Sequence, residues 1–304
     1  MKTYPSTLLV LAGPTAVGKT ETAISLASIY KTEILSADSR QFYREMNIGT
    51  AKPSKVEMAM VPHHFIDSHS INDEYDVKQY EIDALKILTE LFKKNRLVIL
   101  TGGSGLYIDA VCKGLDEMPE ISSQVREKII ENFEQNGLNW LQAEVEKVDP
   151  EYFQIVDQKN PQRLMRALEI FLGTGKPYSS FRRQKFIERP FNILKIALER
   201  DREELYARIN LRMDAMLNGG LLEEARALYS KKSLNALQTV GYTEIFDFLE
   251  GRYDWEETVR LLKRNSRRYA KRQLTWLRRD KDYQWFHPSE ISAIQTWIAN
   301  QVNG

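Results

Sequence analysis

The chain has 304 residues, 42% hydrophobic and 28% charged, with a formal net charge of +1; that length suggests about two domains, or one domain carrying an insertion. No apolar run approaches the roughly 18 residues needed to span a bilayer, so a membrane role is excluded from the expectations. A single cysteine, Cys112, rules out an internal disulfide, and four histidines at no finger-like spacing rule out a zinc finger, which leaves a reducing, cytoplasmic setting as the expectation.

The opening residues, MKTYPSTLLVLAGPT, carry an early lysine and a short apolar run. That run leads straight into a glycine-rich loop without a small-residue cleavage site, so it reads as a first strand. TLLVLA, GPTAVGKT and ETAISLASIY give strand, tight loop and helix, the order of a parallel α/β sheet. EILSAD at 33 to 38 and RLVILTGG at 96 to 103 predict further strands. Between them, Tyr80, Leu85, Leu88, Leu91 and Phe92 recur close to helical spacing. Alternating strands and helices predict an α/β fold: a P-loop NTPase-like parallel sheet flanked by helices.

From about residue 116 the texture changes to helix upon helix, with Pro119 at a boundary and Gly137 as a helix stop. Asn160 as N-cap, Pro161 at the first helical position and glycines after Leu172 bound a further helix. The strand pattern returns at FNILKIALE, 191 to 199. The expected organisation is therefore a core of 1–115 and 191–304 interrupted by an all-helical module at 116–190. Asp201 and Glu204 stand in capping-box positions ahead of a helix closed by Gly219 and Gly220, and the remainder reads as helical to the end.

Gly13, Gly18, Lys19 and Thr20 satisfy GxxxxGK[ST] between a predicted strand and a predicted helix. Glycines there let backbone N–H groups converge on phosphate oxygens at the positive end of the helix dipole. Lys19 adds a full charge, and the Thr20 hydroxyl is placed to ligate Mg²⁺. Bound phosphate follows from the pattern; ATP hydrolysis does not. RLVILTGG offers Thr101 where an NTPase would have an acid. The nearest carboxylate is Asp38 after EILSAD, either a cap or an active-site group, so a nucleotide kinase or ATPase stays open on the motif alone. Ser104 in GGSG could donate to an anion, although a plain turn is the default. Arg208 with Arg212, and Arg163 with Arg166, share helix faces, an arrangement more often simply solvated. His63 and His64 read as polar packing, and Cys112 as a small buried hydrophobe. Arg260 to Arg279 holds nine Lys or Arg and no Asp or Glu. Arg260, Arg264, Arg267, Arg268 and Arg272 fall near one face, the pattern of a helix that packs on one side and meets phosphates on the other, though a solvated face is the ordinary fate of such a run.

Taken together, GPTAVGKT, ADSRQFYREMNIGTAKP (37 to 53), VPHHFID (61 to 67), GGSGLY (102 to 107), NPQRLMRALEIFLGTGKP (160 to 177), VGYTEI (240 to 245) and AKRQLTWLRR (270 to 279) resemble the tRNA dimethylallyltransferases, or tRNA isopentenyltransferases, in their compact bacterial form. The likeness runs nearly end to end, and the 37 to 53 and 270 to 279 stretches are its specific parts. It implies transfer of a dimethylallyl group from dimethylallyl diphosphate to N6 of the adenosine 3′-adjacent to the anticodon of certain tRNAs. It assigns the diphosphate to Gly13, Pro14, Thr15, Ala16, Val17, Gly18, Lys19 and Thr20, a Mg²⁺ cofactor to Thr20, and further diphosphate contacts to Ser104 and Arg212. Position 104 is usually threonine; the hydroxyl is kept. Asp38 matches the general base. Asp38, Ser39, Arg40, Gln41, Ser104, Arg126, Gln162, Arg163, Leu164, Met165, Arg166, Gly241 and Tyr242 match positions that touch the anticodon stem-loop of tRNA. A monomer is implied, and the basic stripe becomes a phosphate-contacting surface. Two rivals are a small-molecule kinase or adenylate isopentenyltransferase on the same loop, and a P-loop protein that binds RNA without catalysis.

Overall fold

The computed structural model describes residues 5–182 and 186–303. In chain order its elements are β1 (Thr7–Ala12), α1 (Lys19–Tyr30), β2 (Ile34–Ser36), α2 (Lys55–Met60), β3 (His63–His64), α3 (Val77–Leu91), β4 (Leu97–Gly102), α4 (Gly105–Lys113), α5 (Ser123–Val148), α6 (Pro150–Ile155), α7 (Pro161–Thr174), β5 (Asn192–Leu198), α8 (Arg202–Asn218), α9 (Leu221–Leu228), α10 (Thr243–Leu249), α11 (Trp255–Leu277), β6 (Gln284–Phe286) and α12 (Ile291–Asn303). They fall into two compact units, Met1–Cys112 with Glu188–Gly304, and Lys113–Ile187. The second unit begins at Lys113 where the sequence suggested 116, and ends at Ile187 where it suggested 190.

The first unit is built on a six-stranded sheet in the order β3-β2-β4-β1-β5-β6, with every pairing parallel. β1 is central and all six of its residues are buried. Leu8, Val10 and Ala12 face one core with Leu88 and Leu100, while Leu9 and Leu11 face the other with Leu26 and Ile99. Burial on both faces is why TLLVLA is a continuous apolar run. Each leucine so buried contributes roughly 1.5–3 kcal/mol relative to exposure. The register pairs Ala12 with Gly102 and Ala197, and Ser36 with Thr101. The loops after β1, β2 and β4 therefore start at one level on the carboxyl edge of the sheet, where open α/β sheets bind ligands.

Two expectations need correction in this unit. The stretch after α8 is not helical to the end, because β6 adds an edge strand. β3 was not anticipated either, and strands of two or three residues carry too few side chains to show a period of two. Asp201 caps α8 by accepting from the Glu203 N–H at 2.8 Å, without the reciprocal bond of a capping box; Glu204 turns instead to Arg200.

The second unit is helical. Gly137 lies within α5 at φ 74° and ψ −169°, a positive-φ conformation open to glycine that interrupts the helix where the sequence placed a stop. Asn160 caps α7 by accepting from the Arg163 N–H at 3.2 Å, Pro161 occupies the first turn, and Gly175 closes the helix at φ 72°. Ile129, Leu141, Val145, Leu164 and Leu168 form the unit's own core.

Candidate active site

β1 delivers the loop Gly13–Thr20 to the first turn of α1. A Cβ at Gly13 would come within 2.9 Å of Val17 Cγ1 and 3.1 Å of the Leu198 carbonyl oxygen. Gly18 stands at φ 114° as the N-cap of α1 and supplies no side-chain cap. The first-turn N–H groups have no intrahelical carbonyl, so the positive end of α1 opens onto the loop. Val17 is fully buried and anchors the loop in the core.

The loop's carbonyls are held by cationic side chains. Lys19 Nζ donates to the Gly13 and Pro14 carbonyls at 2.9 Å each, Arg208 Nε to Ala16 at 2.9 Å, and Arg200 Nε to Val17 at 2.7 Å. Arg212 donates to the Thr15 hydroxyl. Arg208 and Arg212, whose spacing alone suggested a solvated face, thus meet the loop. The crowding of positive charge registers in the titration of Lys19, whose ammonium is lowered to about 8, first by burial and then by Arg212, against an opposing pull from Asp38. Arg212 is lowered as well, by burial and then by Arg208, again opposed by Asp38. An anion entering here would relieve that repulsion.

Asp38 follows β2, and its Oδ1 accepts from the Arg40 N–H at 3.0 Å, closing a tight turn. The turn rests on the loop after β4. Ser104 N–H donates to the Ala37 carbonyl at 3.2 Å, and Ser104 Oγ accepts from the Ser39 N–H at 2.9 Å. A Cβ on Gly102 would collide with the Ala37 backbone, so the close approach of the two loops requires glycine. Tyr269 of α11 shares a hydrogen bond with Ser104, and burial followed by Asp38 pushes its phenol up to about 12. Gln41 spans from Ser36 Oγ at 3.0 Å to the Thr50 and Ala51 carbonyls at 3.3 Å.

A cavity of about 400 Å³ is bounded by Thr15, Lys19, Thr20, Asp38, Thr101 and Arg212, together with His63, which the sequence suggested was plain packing. A smaller one, of about 90 Å³, has Ile209, Met213, Met216, Leu221 and Val240 in its walls. Both are lined by Thr15, Asp38 and Arg212. The structure therefore brings the carboxylate, the phosphate loop and an arginine to one place. Thr101 Oγ1 is committed to the Leu11 carbonyl at 2.9 Å. For Mg²⁺, no group of three or more His, Cys, Asp or Glu side chains among the described residues could hold an ion by protein ligands alone. A hydroxyl at the first turn of the loop helix fits a cation that takes most of its oxygens from a diphosphate and water.

Other candidate positions divide between surface and core. Arg40 lines the smaller cavity, as does Gly241. Tyr242 is fully buried, donating its hydroxyl to Glu224 at 2.6 Å, and so lines neither cavity. Glu224 also accepts from the backbone N–H groups of Asn47, Ile48 and Gly49 at 2.9 to 3.0 Å, a clamp the sequence did not signal. In the helical unit Gln162 and Arg163 are exposed, whereas Leu164 and Met165 are buried in its core, so their side chains face away from any surface ligand. Arg126 and Arg166 both donate to buried Glu169 at 2.9 Å, and Arg126 to Gln162 at 2.7 Å. On α11, Arg260 is paired with Glu257, and Arg267 with Asn210, while Arg268 and Arg272 are exposed.

The family model described as IPP transferase matches residues 41–280. The chain is 49% identical over 296 residues to tRNA dimethylallyltransferase 1 of Bacteroides fragilis, covering 97% of this chain and 98% of the relative. It is 50% identical to the enzyme of the same name from Phocaeicola vulgatus, with the same coverage of each chain. Among solved structures it resembles the full-length tRNA isopentenylpyrophosphate transferase of Bacillus halodurans, with a TM-score of 0.73 and 36% identity over 98% of this chain and 97% of that one. It also resembles a eukaryotic dimethylallyltransferase acting on tRNA, with a TM-score of 0.71 and 26% identity over 90% of this chain and 70% of that one. By sequence and by fold, the chain belongs to the tRNA dimethylallyltransferase family.

Proposed function

We propose that this chain transfers the dimethylallyl group of dimethylallyl diphosphate to N6 of the adenosine immediately 3′ of the anticodon in tRNA, releasing diphosphate. The observation that supports this most is the presence of Asp38 and Arg212 in the walls of the same cavity as the phosphate loop. A hydrolase would need a positioned water; here a carboxylate faces a phosphate grip, which suits attack by a protonated nucleophile on a carbon bearing a phosphate leaving group.

In this reading the loop Gly13–Thr20, Lys19, Arg212 and Ser104 hold the donor's diphosphate. N6 attacks C1 of the donor, the C1–O bond breaks with its electron pair leaving on the diphosphate, and the N6 proton passes to the Asp38 carboxylate. The exocyclic amine is a weak nucleophile because its lone pair is delocalised into the ring, so proton removal contributes a typical ~10²- to 10⁴-fold. Lys19 and Arg212 stabilise the charge that develops on the leaving group. Mg²⁺, held by the Thr20 hydroxyl and donor oxygens, would supply further positive charge there. The target base reaches the cavity by flipping out of its stack. Ser39, Arg40, Gln41 and Gly241 lie on the core unit for contact with the anticodon stem-loop, Arg126, Gln162, Arg163 and Arg166 lie on the helical unit, and exposed Arg268 and Arg272 offer backbone phosphate contacts. The enzyme acts as a monomer in the cytoplasm, where its tRNA substrate is found.

Incubation with labelled dimethylallyl diphosphate, Mg²⁺ and both tRNA and free AMP as acceptors should place label in the tRNA. Label in free adenine nucleotides instead would favour the nucleotide-prenylating alternative. No label in either, at saturating substrate, would overturn the reading.

A further inference from the structure

α11 carries the basic stripe, yet its buried side ties the phosphate-binding loop to the loop after β4. Gln273 is 7% exposed. Its Oε1 accepts from the Thr15 N–H at 2.8 Å, and its Nε2 donates to the Gly103 carbonyl at 2.9 Å. The orientation of the amide follows from its partners, since a backbone N–H must meet oxygen and a carbonyl must meet N–H. Thr15 is thereby held twice, through its N–H by Gln273 and through its hydroxyl by Arg212. Gly103 precedes Ser104, whose hydroxyl holds the Ser39 N–H next to Asp38. One side chain therefore ties the phosphate-binding loop to the loop after β4, on which the turn bearing the carboxylate rests. The approach of α11 is close: a Cβ at Gly103 would come within 2.2 Å of Gln273 Nε2, and one at Gly105, the first residue of α4, within 2.3 Å of the Trp276 indole.

We propose that Gln273 is a positioning residue that sets the spacing between the phosphate-binding loop and the Asp38 turn. The inference rests on the proposed transfer reaction, in which nucleophile and leaving group lie on opposite sides of the transferred carbon. A misplacement of about 1 Å there can cost on the order of 10²-fold in rate. Both hydrogen bonds of Gln273 are bonds to backbone, so a side chain of equal length that can neither donate nor accept fills the space without fixing the distance.

The test uses two variants of the full chain. Gln273→Met keeps the volume and loses both bonds; its single-turnover rate at saturating donor and tRNA should fall roughly 10- to 100-fold, with KM for tRNA changed less than about threefold. Gln273→Glu can satisfy both partners only while its new carboxyl is protonated, the C=O accepting from Thr15 and the O–H donating to Gly103. Its rate relative to the unsubstituted protein should therefore rise as pH falls from 8 to 5. A flat ratio, or a Gln273→Met rate equal to that of the unsubstituted protein, overturns the proposal. Binding of inorganic diphosphate with Mg²⁺, followed by calorimetry, separates it from the reaction itself. If the unsubstituted protein transfers no label, the proposed reaction fails, and an unchanged diphosphate affinity in Gln273→Met then refutes the role of Gln273, while a several-fold weakening upholds it.

Discussion

Lys19 offers a quantitative handle on the loop. Its ammonium titrates at about 8 because burial disfavours the charge and Arg212 stands nearby, with Asp38 only partly compensating. At that value roughly nine tenths of the ammonium is charged at pH 7 and roughly one tenth at pH 9. An anion bound against it favours the charged form and raises its pKa, so binding above pH 8 takes up a proton. Affinity for diphosphate is then fully present below pH 8 and is lost as pH rises through it. By pH 9 the loss is about tenfold, or about 1.4 kcal/mol. Calorimetry with inorganic diphosphate and Mg²⁺ at pH 7, 8 and 9, in two buffers of different ionisation enthalpy, measures both the affinity and the protons taken up. Uptake should approach one proton at pH 9 and nearly vanish at pH 7. Lys19→Arg, permanently charged, should remove the slope whatever it does to affinity at pH 7. Affinity that stays flat to pH 9, or the same slope in Lys19→Arg, would refute the linkage.

Other residues give sharper yes-or-no outcomes. Asp38→Ala should bind tRNA with unchanged affinity in a filter or anisotropy assay yet lose roughly 10²- to 10⁴-fold in turnover; weakened binding with turnover per bound complex unchanged would remove Asp38 from the base role. Glu224→Ala leaves the N–H groups of Asn47, Ile48 and Gly49 and the Tyr242 hydroxyl without their acceptor, and should cost about 2–4 kcal/mol in urea unfolding. A change below about 0.5 kcal/mol would show that water replaces the carboxylate. Glu169→Ala releases Arg126 and Arg166, both about one third exposed, so stability should fall by only about 1–2 kcal/mol because the freed guanidiniums can hydrate. tRNA affinity should change in the same variant if the fork they form meets phosphate.

The phosphate loop was legible because its requirements are local: two glycines, a lysine and a hydroxyl between a strand and a helix. Asp38 could be located but not assigned, since a carboxylate after a strand caps a turn as readily as it does chemistry, and in the structure it bonds the Arg40 N–H while also lining the cavity. Arg208 and Arg212 lie four apart, a spacing that a solvated face and a ligand face share; only the parallel pairing of β1 with β5 puts the helix after β5 beside the loop after β1. Gln273 lies in the 270 to 279 stretch and Glu224 in none, but neither could be given a role, because the backbone atoms they bind lie 170 to 258 and 175 to 177 positions away. Leu164 and Met165 travelled with a polar motif, yet helical periodicity turns them inward while their neighbours face out.

The helical unit has closely spaced ends. Ile187 N–H donates to the Lys113 carbonyl at 2.9 Å, so the polypeptide departs from the core and comes back through neighbouring points. Bridging such a gap with a few residues costs little closure entropy, and strands β4 and β5, on either side of the insertion in the chain, are each held by their pairing with β1. A longer or shorter module could thus be joined at the same two points without moving the strands that carry the loops at the sheet edge.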